Sequence, residues 1–265
     1  MHWTVKRSFK IFLDNYFDSS AAIKVLEIGS ANVNGGLREL KLPNMDWTGV
    51  DLEPGPGVDV VVAVGQPTPF DSASFDLVVA SSVFEHDIQF WNTFLEMSRV
   101  VKTTGVLLLT MPSQGNFHRY PLDAFRFYPD SGIALEKWAH SEGHHINLVE
   151  SFTTRPENDI WADYVAIYSG AKRLPQKKLI GDLLEGENWI VGNSLIDSTY
   201  QELPYELRKI AELEAANISL TNQLRKANAK LGKRTRTKPQ RNMKPLRILI
   251  KILKRIRALL KNLYH

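Results

Sequence analysis

Four side chains that could do chemistry lie close together in the segment HRYPLDAFRFYPD, residues 118–130. They are His118, Tyr120, Asp123 and Arg126. Histidine is suited to proton transfer near neutral pH, and carboxylate, guanidinium and aromatic groups together are typical of sites that bind polyhydroxylated rings or phosphates. The segment therefore predicts a binding site for a substrate that carries such rings or phosphates, in which His118 is a base or a hydrogen-bond donor. A structural ion pair between Asp123 and Arg126 is the competing interpretation.

A second group of polar residues surrounds a glycine turn near the start of the chain. The apolar run 23–28 contains Glu27 and ends at the turn Gly29, Ser30 and Ala31. Asp51 follows a later apolar run, about 20 residues beyond the turn, where nucleoside-binding sheets place a carboxylate on the ribose hydroxyls. The spacing predicts a nucleoside site, and the acidic residue argues against a ligand with a 2′-phosphate.

The elements that must position these residues alternate between strand and helix patterns. Helix patterns cover 35–42, 90–101 and 130–141. Strand patterns cover 23–28, 47–52, 58–64, 75–82, 105–112, 145–152 and 162–169. Such alternation predicts an α/β, Rossmann-like fold with a seven-stranded, mostly parallel sheet sandwiched by helices, in which ligands bind beyond the carboxyl ends of the strands.

Four motifs along this pattern carry a resemblance to a known family. They are VLEIGS at 25–30, VDLEPGPGVDVV at 50–61, FDLVVASSVFEH at 75–86 and RVVKTTGVLLLTMPS at 99–113. Together they resemble class I S-adenosylmethionine-dependent methyltransferases over roughly residues 20–170. The segment 118–130 is similar to a methyltransferase type 11-like branch associated with bacterial glycan biosynthesis.

The resemblance implies S-adenosyl-L-methionine as the cofactor and gives each matching residue a role. Glu27 would orient the turn and approach the methionine ammonium, Asp51 would hold the ribose, and Leu52 would cover the adenine. The other expected contacts are the turn residues Gly29, Ser30 and Ala31, which pass the cofactor, and Ser81, Ser82 and Val83, which form the floor beneath its methionine part. The sequence departs from the family at the turn, which is Gly-Ser-Ala, and at Val64, where members often have an aspartate.

The expected reaction is methyl transfer to a hydroxyl of a sugar or glycan during cell-surface polysaccharide or glycolipid synthesis. Because the methyl group is already activated on a sulfonium, the protein mainly has to align the reactants and exclude water. The alternatives are a nucleic-acid methyltransferase and a non-catalytic scaffold that kept the fold. His86 is interpreted as a cap or packing residue, and no metal site is predicted because no metal-ligand spacing occurs.

Composition limits the other classes of function. The chain has 265 residues, of which 43% are hydrophobic and none is cysteine. Disulfides, thiolate metal sites and cysteine nucleophiles are therefore excluded. Neither a signal peptide nor a run of about 20 apolar residues is evident, so a cytoplasmic protein is expected, with peripheral association at the inner face of a membrane as an option.

Charge divides the chain into a body and an appendage. Residues 1–214 hold all 29 acidic and 18 basic residues, a net charge of −11, and residues 215–265 hold 15 basic residues. We predict a methyltransferase domain at 1–200, a coiled-coil helix at 201–232, and a basic linker with an amphipathic helix at 233–265.

The appendage predicts contacts with other molecules. A heptad seam runs through Ile210, Leu213, Asn217, Leu220, Leu224, Ala227 and Leu231. Its single asparagine at an a position favours a parallel homodimer, and a helix lying back on the body is the alternative. The basic amphipathic stretch at 246–263 predicts binding to an anionic membrane surface or to a glycan-assembly enzyme, and nucleic acid is not the expected partner.

Overall fold

A computed structural model describes residues 3–17, 20–156, 160–171, 178–185, 187–192, 194–195 and 205–235. The chain divides into two units, residues 1–201 and 202–265. The predicted basic linker and amphipathic helix fall almost wholly within 236–265, which lies outside the described residues.

The first unit alternates strands and helices along most of its length. Its helices are α1 (Trp3–Tyr16), α2 (Phe90–Val100), α3 (Asp130–Ser141) and α4 (Ile180–Leu183), with a 3-10 helix at Leu37–Leu40. Its strands are β1 (Ile23–Ile28), β2 (Met45–Asp51), β3 (Val60–Val61), β4 (Phe75–Ser81), β5 (Val101–Gln114), β6 (Asn147–Thr153), β7 (Ala162–Ser169), β8 (Glu187–Val191) and β9 (Ser194–Leu195). The predicted α/β fold is confirmed.

All the strands in the described residues join one sheet in the order β3-β2-β1-β4-β5-β7-β6-β8-β9. The pairs from β3 to β5 are parallel, and β7 pairs antiparallel with both β5 and β6. Each of the seven predicted strands is present, and β8 and β9 extend the sheet to nine strands. Since β1 lies between β2 and β4, the loops that follow these three strands meet at one edge of the sheet.

Two apolar layers cover the faces of the sheet. Successive residues of β4 face opposite layers: Leu77 and Val79 pack with α1, and Val78 and Ala80 pack with α2 and α3. This explains the apolar runs at 77–80 of β4 and 106–109 of β5, because the part of a strand that is covered on both faces has no solvent side. The core therefore holds the carboxyl ends of β1, β4 and β5 in fixed positions.

Two helical segments differ from the sequence predictions. The pattern at 35–42 forms only a single 3-10 turn, because Lys41 is already extended and Pro43 follows. Helix α1, for which no element was predicted, buries Val5, Phe9 and Phe12 against the sheet.

The second unit contains helix α5 (Tyr205–Thr235), which begins directly after Pro204. Ile210, Leu213 and Leu220 of the heptad seam are exposed on it. The parallel dimer stays a prediction. Among the described residues, no helix is both long and apolar enough to cross a membrane.

Candidate active site

The turn after β1 has a backbone that requires glycine. Gly29 has a φ angle of +73°, and a Cβ atom built there would lie 2.2 Å from Cγ2 of Val83. The N–H groups of Gly29 and Ser30 both donate to the carbonyl of Val50, at 2.8 and 3.1 Å. Val83 follows β4 and Val50 lies in β2, so the turn contacts both of the strands that flank β1. The structure therefore brings the predicted turn at Gly29 next to Val83, one of the residues predicted to form the floor of the cofactor site.

The carboxylate of Asp51 fastens the end of β2 to this turn. One oxygen accepts the N–H of Ala31 at 2.8 Å, and the other accepts the N–H of Leu52 at 2.7 Å. Each carboxylate oxygen can accept a further hydrogen bond, and the side chain is partly exposed. Leu52 is 56% exposed beside it and presents an apolar surface to solvent.

A cavity of about 300 Å³ adjoins the turn. Glu27 lines it and accepts the Nε1–H of Trp47 at 2.9 Å, and burial raises the pKa of the Glu27 carboxyl to about 7. The buried hydroxyl of Ser30 has no hydrogen-bond partner among the described residues. The other lining residues are Asn32, Gly36, Arg38, Glu39 and Gly57.

The end of β4 presents a second set of unpaired polar groups. Ser81 is in register with Thr110 of β5, and the hydroxyl oxygens of both are buried without a hydrogen-bond partner among the described residues. Ser82 then turns the chain with a φ angle of +53°, while its N–H donates to the carbonyl of Thr110 at 2.8 Å. The predicted floor residues therefore lie in a strained turn at the same edge of the sheet as Gly29.

The segment after β5, which we call the acceptor segment (residues 115–129), is held by an internal ion pair. Both amino groups of Arg126 donate to Asp123, one of them at 2.8 Å, and the Asp123 side chain is 1% exposed. The hydrogen bonds from Arg126 hold the pKa of Asp123 at about 2. Asp123 also accepts the backbone N–H of His118 at 2.8 Å. The ion pair is therefore present and shapes the segment around His118, while a role of Asp123 and Arg126 in binding an acceptor stays a prediction.

His118 is placed between two other rings. Its ring centroid lies 5.0 Å from that of His86 and 5.2 Å from that of Trp161, both in edge-to-face geometry. Tyr120 is exposed on the same segment. The N–H of Ala124 donates to the carbonyl of Glu85 at 2.7 Å, so the acceptor segment is joined directly to the loop after β4.

Sequence reasoning missed Glu85 and His86 as members of this site. His86 was interpreted as a cap or packing residue, and Nδ1 of its ring does contact the carbonyl of Leu122. The same ring also faces His118. A signal was available, because Glu85 and His86 follow β4, His118 follows β5, and adjacent parallel strands end at the same edge of a sheet.

A family model described as "Methyltransferase domain" matches residues 43–109, the span from just before β2 into β5. The match contains Asp51 and Ser81–Val83. The chain is an S-adenosylmethionine-dependent methyltransferase. No curated protein sequence matches it.

Solved structures similar to the methyltransferase include several proteins described as methyltransferases. A putative sarcosine dimethylglycine methyltransferase from Galdieria sulphuraria is 12% identical with a TM-score of 0.47, over 64% of this chain and 87% of the other. The 1,6-didemethyltoxoflavin-N1-methyltransferase of Burkholderia thailandensis, solved with S-adenosylhomocysteine, is 13% identical with a TM-score of 0.47, over 63% and 77%. A putative methyltransferase in complex with the Haloferax volcanii Trm112 activator is 14% identical with a TM-score of 0.45, over 64% and 90%.

The residues of the methyltransferase fit its cofactor, S-adenosylmethionine, at the edge formed by β1, β2 and β4. Gly29 leaves the turn without a Cβ, Asp51 has spare acceptor positions for ribose hydroxyls, and Leu52 offers an apolar surface for a base. The cofactor supplies a methyl group on a sulfonium, and the protein binds and orients it. The individual contacts assigned from the family resemblance stay predictions.

The carboxyl of Glu27 makes the free energy of unfolding of the cofactor-free methyltransferase depend on pH. The native state holds this proton up to about pH 7, whereas the unfolded chain releases it near 4.5. Between these values the native state binds more protons, so rising pH lowers the free energy of unfolding by about 3 kcal/mol through this group. Glutamine does not titrate, so the free energy of unfolding of Glu27→Gln should rise by about 3 kcal/mol relative to that of wild type between pH 4.5 and 7. Urea unfolding of both proteins across this range measures the difference. Parallel pH profiles for the two proteins would contradict the assignment.

Proposed function

We propose that the methyltransferase transfers its methyl group to a hydroxyl of a sugar or glycan, in the synthesis of a cell-surface polysaccharide or glycolipid. The observation that carries the proposal is a set of exposed aromatic rings on the acceptor segment. Phe117 is 74%, Tyr120 64% and Tyr128 59% exposed. Exposed aromatic side chains rimmed by polar groups are typical of binding surfaces, and a flat ring can stack on the apolar face of a sugar.

Buried rings of the same segment hold this surface in place. Phe127 is buried against Phe84, Phe90 and Tyr164, with ring centroids 6.3, 5.1 and 6.0 Å away. The packing of Phe127 fixes the end of the segment next to the exposed Tyr128, which lowers the ordering cost of binding a ligand there. This supports a preformed acceptor surface next to the ends of β4 and β5.

The polar groups of the segment suit a hydroxyl acceptor. A sugar hydroxyl is a poor nucleophile, so its proton must leave at or near the transition state. In sequence, His118 lies between the exposed Phe117 and Tyr120. In space, its ring faces His86, which follows the end of β4, and there it can assist the removal of the hydroxyl proton. Asp123 and Arg126 keep its backbone in position.

Transfer of labelled methyl groups from S-adenosylmethionine to a panel of nucleotide sugars, oligosaccharides and transfer RNA tests the proposal. We expect transfer to a carbohydrate, and Tyr120→Ala should raise its KM about fivefold because one aromatic contact contributes about 1 kcal/mol. The affinity for S-adenosylhomocysteine should not change. Trp138→Ala removes a partly exposed ring from α3 and is the matched control. Methylation of the RNA alone, or equal effects of the two variants, would overturn the proposal.

The appendage is proposed to bring the enzyme to its substrate. A parallel dimer through α5 would present two copies of the basic linker and amphipathic helix predicted at 233–265, here called the basic tail. About 1 kcal/mol per basic residue near an acidic leaflet would favour binding at the inner membrane face. A glycan-assembly enzyme with an acidic groove is the other partner that the charge of the tail suits. Either arrangement would place the acceptor segment near growing glycan chains.

A further inference from the structure

Glu85, His86 and His118 form a compact group of metal-ligand side chains. Each offers one ligand atom, and these atoms all lie within 4.8 Å of one another. Oε1 of Glu85 is 3.6 Å from Nε2 of His86. We propose that these three residues bind a divalent transition-metal ion, of the zinc or cobalt class, and that the ion coordinates the acceptor hydroxyl. The binding site stands on the geometry alone, and the role of the ion in catalysis rests on the proposed function.

The state of Glu85 independently points to a cation. Its side chain is fully buried, and neither carboxylate oxygen has a hydrogen-bond partner among the described residues. The nearby guanidinium of Arg126 already donates to Asp123 and to the carbonyls of Asn116 and Phe125. A buried carboxyl without a partner is costly, and a coordinated cation would satisfy both its charge and its lone pairs.

The hydrogen-bond partners of the two histidines favour the tautomer that leaves Nε2 available to a metal. Nδ1 of His86 contacts the carbonyl of Leu122, and Nδ1 of His118 lies 3.2 Å from the carbonyl of Asn116 and 3.4 Å from a carboxylate oxygen of Asp123. Carbonyl and carboxylate oxygens only accept hydrogen bonds, so each Nδ1 carries the proton. This leaves the lone pair on Nε2 of each ring, and such outer hydrogen bonds are the usual support of metal-binding histidines.

The ligand types select the class of metal. Two imidazoles and one carboxylate suit zinc and other first-row divalent ions, whereas magnesium and calcium prefer oxygen ligands alone. Around a tetrahedral zinc ion the ligand atoms lie about 3.4 Å apart. Glu85 and His86 are already near that spacing. All three ligand atoms lie within 4.8 Å of one another, so the part-exposed ring of His118 has at most about 1.4 Å to close. Three protein ligands leave at least one coordination position open, as in catalytic zinc sites.

The open position lies where the acceptor must bind. The three ligands come from the loop that continues Ser81–Val83 and from the acceptor segment. With His118 as a ligand, the ion takes over the activation of the acceptor. A hydroxyl on the ion loses its proton to solvent more readily, because the cation stabilises the oxygen anion. The oxygen then forms a bond to the methyl carbon while the carbon–sulfur bond breaks. Its electron pair stays on sulfur, which gives S-adenosylhomocysteine and the methyl ether.

Metal binding can be tested without cofactor or acceptor. We would treat the full-length protein with a chelator, remove the chelator, and titrate Co²⁺ while recording visible absorption, with Zn²⁺ calorimetry in parallel. One ion per chain should bind with the absorption of a low-symmetry nitrogen–oxygen site, and Zn²⁺ should displace it. Glu85→Gln and His118→Ala should each raise the Kd at least 100-fold. His145→Ala, which removes an exposed histidine before β6, is the matched control and should bind as wild type does.

The outcomes separate the site from the catalytic role. His118 is partly exposed, so His118→Ala should keep the melting temperature near that of wild type and still report on the metal if Glu85→Gln fails to fold. No binding by wild type, or equal affinity in wild type and His118→Ala, overturns the site. Binding that leaves methyl transfer unchanged after metal removal overturns the catalytic role. An absence of methyl transfer to carbohydrate in the presence of the ion overturns the proposed function and leaves the metal site intact.

Discussion

Replacing Gly29 by alanine is expected to lower the free energy of unfolding by about 3 kcal/mol and to abolish cofactor binding. Two costs combine at this position. A left-handed backbone costs an alanine about 1–2 kcal/mol, and a methyl group 2.2 Å from Cγ2 of Val83 adds an overpacking cost of similar size. Urea unfolding monitored by tryptophan fluorescence measures the stability loss, and titration with S-adenosylhomocysteine measures the binding loss.

The chain provides a matched control for the Gly29 change. Gly65 has the same φ angle of +73°, but nothing lies within 4 Å of a Cβ built there. Gly65→Ala should therefore show only the backbone cost, and Val83→Ala in the Gly29→Ala background should recover part of the packing cost. If the two glycine variants lose the same stability, the contact between the turn and Val83 does not constrain the site.

The second large effect is expected at Asp51. Asp51→Ala should raise the Kd for S-adenosylhomocysteine by 10- to 100-fold, since hydrogen bonds to a charged group contribute about 1.5–3 kcal/mol. The same change also frees the N–H groups of Ala31 and Leu52 that fasten β2 to the turn. Isothermal titration calorimetry measures the affinity directly.

Two further variants test whether the loss of affinity comes from the carboxylate of Asp51 itself. Asp51→Asn keeps one acceptor oxygen and should fall between wild type and Asp51→Ala. Asp46→Ala removes an exposed aspartate from the same strand and should bind like wild type. Unchanged affinity in Asp51→Ala would place the ribose elsewhere and refute the assignment of this residue.

The sheet could be predicted because its central strands have a sequence pattern that only one environment explains. β1, β4 and β5 each contain a short apolar run, and the positions that are covered on both faces of the sheet are apolar in β4 and β5. The carboxyl ends of these strands then follow from chain direction, which is why Gly29, Asp51 and Ser81 could be assigned to one edge. The bounds of α3, at 130–141, were also predicted correctly.

Other features depend on contacts that no local pattern contains. β9 has two residues and was not predicted, and within the predicted strand at 58–64 only Val60 and Val61 pair with β2, so the neighbouring strand sets the length of each. The cluster of Glu85, His86 and His118 arises because the acceptor segment folds back onto the loop after β4. The ion pair between Asp123 and Arg126 likewise became visible only in the structure, because a pair that binds a substrate and a pair that only shapes the segment have the same spacing.

The hydrogen bond from the N–H of Ala124 to the carbonyl of Glu85 links the regions assigned to the two substrates. A cofactor that orders the loop after β4 also orders one end of the acceptor segment. The substrate that binds second then loses less conformational entropy, because part of its site is already ordered. The coupling is reciprocal, and each substrate changes the affinity of the other by the same factor. An acceptor affinity measured in the absence of cofactor would therefore understate the affinity of the working enzyme.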